Sequence, residues 1–167
     1  MINEWFHIDL GNQINNTWNK DSALAVRKKD VYSSIKIKSK DKKLLKKKFI
    51  LEDLNSNIKH NRRIITIIYC YLLFKLLKLS EEAVKKVNVC KDVGPEWAVN
   101  KYLSKVCKYY NEEPITNKIR IKFRKSSSKK SEAHRIARDV ARGRKKETYC
   151  LNEQDINELE DILRKIQ

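Results

Sequence analysis

The sequence predicts an α/β fold, a mixed sheet with helices on its faces, and three observations carry that expectation. Alternating apolar and polar residues mark several short strands, Lys118–Arg124 (KIRIKFR) most clearly. A continuous apolar run, Ile64–Leu79, has the length of a buried helix. The order of these segments is three strands, a helical stretch, a strand, a helix, a strand and two helices. A meander followed by strand–helix–strand units folds as a mixed sheet.

The elements follow in order. Trp5–Leu10 alternates and stops at Gly11, which reads as a strand. Asn12–Asp21 is polar and Asn-rich, a loop. Ser22–Lys28 and Val31–Lys38 read as two strands joined by a tight turn at Lys29-Asp30, the second alternating as a half-exposed strand does. Asp41–Leu54 reads as a strongly basic helix, part of an insert at about 41–60, and Asn55–Asn61 breaks it. Asn61 is placed to cap the apolar helix that ends near Leu79. Val87–Asp92 is a further strand. A right-handed crossover sets it beside the first strand and parallel to it.

Pro95 starts the next helix. Trp97, Val99, Tyr102, Leu103, Val106 and Tyr110 recur along it at helical spacing, so Trp97 is expected inside. Lys118–Arg124 sets Ile119, Ile121 and Phe123 on one face and four cations on the other. Ser126–Ser128 reads as a flexible joint, and Ser131–Ala141 as a helix stopped by Gly143. The last helix, about 152–166, opens with Asn152 and Asp155 in capping-box spacing. Its apolar stripe of Ile156, Leu159, Ile162, Leu163 and Ile166 suits packing on its own domain or docking of a partner.

The chain of 167 residues suits a single domain. Its 38 Lys and Arg outweigh 21 Asp and Glu, giving a formal charge of +17, so an anionic partner is expected. The 41% apolar content excludes a disordered basic tail. Met1–Leu10 holds Glu4, His7 and Asp9, unlike a secretory leader. Ile64–Leu79 carries Lys75 and Lys78 and falls short of a bilayer span, so no membrane role is expected. Cys70, Cys90, Cys107 and Cys150 are scattered, with no CxxC pair, as reduced thiols of a cytoplasmic protein are.

Two stretches concentrate the charge. Arg27–Lys48 holds 11 Lys or Arg and Lys118–Lys146 holds 13, each with two acids. The second joins an alternating strand, a Ser-rich joint and an Arg-rich helix, a pattern suited to tracking phosphates. Lys125, Lys129, Lys130, Arg135, Arg138 and Arg142 are the expected phosphate contacts. Trp5, Trp18 and Trp97 are the indoles available for stacking on bases. The expected partner is therefore nucleic acid, RNA, DNA or a hybrid. A scaffold for an acidic protein is the alternative.

The element order, with Asp9 in WFHIDLG, Asp92 closing VNVCKD and the helix SEAHRIARD, resembles the ribonuclease H-like superfamily over about residues 4–144. The resemblance implies a nuclease that cleaves phosphodiester bonds with magnesium or manganese. It implies Asp9, Asp92 and His134 as metal ligands and catalytic residues, with Glu132 and Asp139 as alternatives on the same helix. Such clusters hold two cations about 4 Å apart. The family's Glu early in the long helix has no counterpart here: the segment reads NRRIITIIY, and only Glu52 or Asp53 is near in sequence. A non-catalytic nucleic-acid-binding module is the expectation that this gap favours.

Overall fold

The structure, a computed structural model, describes residues 5–15, 17–28, 30–52, 56–80, 84–90, 93–124 and 131–166. Its strands are β1 (Phe6–Gly11), β2 (Ser22–Lys28), β3 (Val31–Ile37), β4 (Lys86–Cys90), β5 (Arg120–Arg124) and β6 (Tyr149–Cys150). The helices are α1 (Ser39–Phe49), α2 (Ile58–Ser80), α3 (Glu96–Tyr109), α4 (Glu132–Ala141) and α5 (Glu153–Lys165), with a 3-10 turn at Ile115–Asn117. The strands form a six-stranded mixed sheet in the order β5-β4-β1-β2-β3-β6. β1, β2 and β3 pair antiparallel as a meander, while β4 runs parallel to β1 and β5 parallel to β4. The expected crossover of the Val87 strand to the edge of β1 is thus observed, Phe6 aligning with Val87 and Ile8 with Val89.

Strand alternation divides the side chains between two faces. Phe6, Ile8 and Leu10 of β1, Leu24 and Val26 of β2, Ile35 and Ile37 of β3, and Val87 and Val89 of β4 point to one side. There they meet α1, α2, α3 and α5 in one large core. α2 is the centre of that layer: Ile64, Ile67, Ile68 and Tyr69 through Leu73 have at most 1% exposure, which fits an apolar run without one dominant stripe. Among the described residues no helix is long and apolar enough to cross a membrane.

On the opposite face, among the described residues, lies α4. Ala23 and Ala25 of β2 pack with Ile136, Ala137, Val140 and Ala141 of α4 in a small second cluster. Small residues let the helix approach closely. At Gly11 the approach is so close that a Cβ would collide with the backbone of Ala137 and Arg138. α4 contacts β1, β2 and β3.

Several boundaries differ from the sequence expectation. α1 ends at Phe49 rather than Leu54. α2 starts three residues before Asn61, so Asn61 is not its cap. The Asn61 side chain instead accepts from the Leu51 amide at 3.0 Å and donates to the Leu51 carbonyl at 2.9 Å, clamping the α1–α2 connection. Trp97, expected inside, is 67% exposed. It lies in the first turn of α3, before Ala98 and Val99 turn that helix toward the core. β6 has only two residues and no alternation to signal it. Its pairing with β3 is supported by the mutual bonds of Ser34 and Thr148.

The capping box of Asn152 and Asp155 opens α5 as the spacing predicts. Ile156, Leu159, Ile162 and Leu163 are at most 3% exposed, so the stripe of α5 packs on its own sheet layer and is not free to dock a partner. The four cysteines are free thiols.

Candidate functional site

The face that carries α4 also carries the polar chemistry. β1 sets His7, Asp9 and Gly11 on it, and α4 passes over Gly11 so that its first turn reaches Asp9. Ser131 caps α4 by accepting from the His134 amide at 3.1 Å. The same hydroxyl donates to Asp9 Oδ2 at 3.2 Å. Asp9 Oδ1 accepts from the Leu10 amide at 2.9 Å and lies 3.6 Å from His134 Nδ1. Asp9 is 4% exposed while a quarter of the His134 side chain reaches solvent. Residues from opposite ends of the chain thus meet in a carboxylate–imidazole pair.

Of the other expected ligands, Glu132 and Asp139 are not brought into that pair. Glu132 turns outward, its carboxylate 2.8 Å from Arg27 Nε of β2. Asp139 sits near the far end of α4, where its carbonyl accepts from the amides of Arg144 and Lys145 beyond the helix. Asp92 lies outside the described residues, as does Asp53, and Glu52 is exposed in the α1–α2 connection. Among the described residues no three His, Cys, Asp or Glu side chains gather to hold a metal ion. Magnesium takes hard oxygen ligands in an octahedron. One carboxylate, already hydrogen-bonded on both oxygens, and one imidazole fall short of such a set.

Of the expected phosphate contacts, Arg135 and Arg142 are exposed on α4 and at its end, and Arg138 is half-buried. The Nε of Arg138 is buried without a partner among the described residues. Lys125, Lys129 and Lys130 lie outside the described residues.

Sequence reasoning named Trp5 and the cations of Lys118–Arg124 separately but did not bring them together on this face. α4 packs mainly on β1 to β3, and the register lines up His7 with Asn88 and Asn88 with Lys122 across β1, β4 and β5. Lys86 with Arg120 and Cys90 with Arg124 share the same orientation. Arg120, Lys122 and Arg124 are exposed. Trp5, just before β1, lies among them: Lys122 Nζ is 4.5 Å from its ring centroid, Arg120 Cζ 5.7 Å and Lys86 Nζ 5.9 Å. Desolvation and the Arg124 charge push the His7 imidazole below its ordinary pKa, while Asp9 acts in the opposite direction. His7 therefore joins the Asp9–His134 pair to the cations of β5. Asn88 is 3% exposed, and neither its amide nitrogen nor its oxygen has a hydrogen-bond partner among the described residues. The signal that could have found this arrangement is the parallel register of KVNVC with FHIDLG, which alternation alone does not supply.

Comparison with protein-family models, with curated proteins and with solved structures gives no match.

Proposed function

We propose that the protein binds nucleic acid across the α4 face of its sheet. The observation that carries this is the part of that face formed by β4 and β5: Lys86, Arg120 and Lys122 lie around the Trp5 indole, and Arg124 follows them on β5. Cations on neighbouring strands form a phosphate-binding surface whose affinity comes from counterion release rather than base reading. Arg135 and Arg142 extend it along α4. The strand order β5-β4-β1-β2-β3, with β4 parallel to β1, supports a ribonuclease H-like architecture to which β6 and α5 are additions. Four free thiols suit a cytoplasmic setting. The test is binding of a labelled oligonucleotide over a series of salt concentrations. Affinity that falls steeply with salt supports the proposal, and no binding at low salt overturns it.

Phosphodiester hydrolysis is a second reading, favoured by the meeting of Asp9 with His134. It requires Asp92 to complete the acid set and magnesium or manganese as added cofactor. The expected outcome is cation-dependent cleavage that Asp9→Asn abolishes while binding persists. Binding without cleavage in either cation leaves a non-catalytic module.

A further inference from the structure

We propose that the strip of β1, β4 and β5 beside α4 is a platform for single-stranded nucleic acid, with Trp5 stacking on a base and Lys86, Arg120 and Lys122 holding the flanking phosphates. The proposal deepens the nucleic-acid reading above and rests on it.

Two features of the strip support a strand with unpaired bases. Side chains at alternate positions of β5 repeat every 6.6–6.8 Å or about that, close to the separation of successive phosphates in an extended strand. Arg120, Lys122 and Arg124 fall on this repeat, all exposed. The indole of Trp5 sits inside the cationic cluster, within 6 Å of three cations. An aromatic ring beside phosphate-binding cations is the arrangement by which proteins hold single strands without reading sequence. In a duplex the base faces are stacked internally and do not reach such a ring.

Cations on an edge strand have a simpler use, since charge deters edge-to-edge pairing. β5 is an edge of this sheet. That use needs charge alone. It does not call for an indole enclosed by cations from two strands.

The experiment measures affinity of the full chain for fluorescein-labelled oligothymidylate, oligouridylate and a duplex of equal length. Wild type is expected to favour the single strands. Trp5→Ala is expected to weaken single-strand binding about tenfold and to leave duplex binding unchanged, while Trp5→Phe keeps most of the affinity. Lys122→Ala is expected to weaken both ligands and lower the salt dependence. Trp97→Ala, which removes an exposed indole outside the strip, is expected to change neither. Equal losses on single strand and duplex in Trp5→Ala, or a single-strand loss that follows Trp97 instead, overturn the platform while nucleic-acid binding stands. Absence of binding to any of the three by wild type removes both proposals.

Discussion

The two faces of the sheet are built on opposite terms. On one, four helices enclose an apolar core, and the buried Lys42, Asp155 and Glu160 are each held. Lys42 Nζ donates to the carbonyls of Thr17 and Lys20 and to Ser22 Oγ at 2.7–2.9 Å. Asp155 pairs with Lys75 at 2.8 Å and accepts from the Tyr149 hydroxyl. Glu160 takes Lys48 and Arg164. On the other face α4 packs on three strands. The rest displays cations around an indole, and the Asn88 amide is buried without a partner among the described residues. Closed polar networks specify packing. Open ones, bordering solvent and charged with one sign, specify a ligand.

The comparison is broken most severely at Gly11, where α4 meets the sheet. Gly11→Ala forces the helix backbone away and is expected to cost about 3 kcal/mol, read in denaturant unfolding, with His134 drawn off Asp9. A loss under about 1 kcal/mol contradicts the close approach. Next is the covered face. Lys42→Met removes the donor shared by the Thr17 and Lys20 carbonyls and Ser22 Oγ and is expected to cost about 2–3 kcal/mol.

Burial lowers the Lys42 pKa from 10.5 to about 8, against the opposing pull of Asp21. Between those values the unfolded chain binds more protons than the folded one, so stability contributed at this site rises with pH from about 8 to 10.5. Below about 8 both states are protonated and the contribution is flat. The pH–stability curves of wild type and Lys42→Met are expected to differ in that window by this rise. Parallel curves contradict the assignment.

Asp155→Asn removes the Lys75 pair and half of the α5 capping box and is expected to cost about 2 kcal/mol. Burial pushes the Asp155 carboxyl up, but Lys75, Tyr149 and the Asn152 amide outweigh it and hold the pKa below its ordinary value. Its stabilisation is therefore present above the ordinary carboxylate range and lost as pH falls through the lowered pKa. The variant is expected to lose that acid limb. The smallest effect is expected at the border of the open face. Glu132→Gln breaks a partly exposed pair with Arg27 and is expected to cost under 1 kcal/mol or about that.

The difference between the faces also explains what was legible in the sequence. Apolar periodicity marks what is buried, so the meander, α2 and the parallel placement of β4 followed from Ile8, Ile35, Ile64 and Val87. The same logic misplaced Trp97, because helical spacing does not say where a helix first reaches the core. It also missed β6, held by Ser34, Thr148 and backbone bonds rather than by apolar contacts. The Asp9–His134 pair was legible through topology, once two remote segments were assigned to adjacent elements. Trp5, Asn88 and Lys122 were not legible as a group, since only the exact register of three strands puts them side by side.

The most direct measurement of the central claim compares salt dependence for charges removed from each face. Arg120, Lys122 and Arg124 on the open face are replaced together by Ala, and separately Lys101, Lys105 and Lys108, exposed on α3 of the covered side. The open-face variant is expected to lose about two to three from the slope of log affinity against log salt, and the α3 variant almost nothing. Equal slopes in the two variants, or a loss confined to α3, contradict a ligand site on the open face.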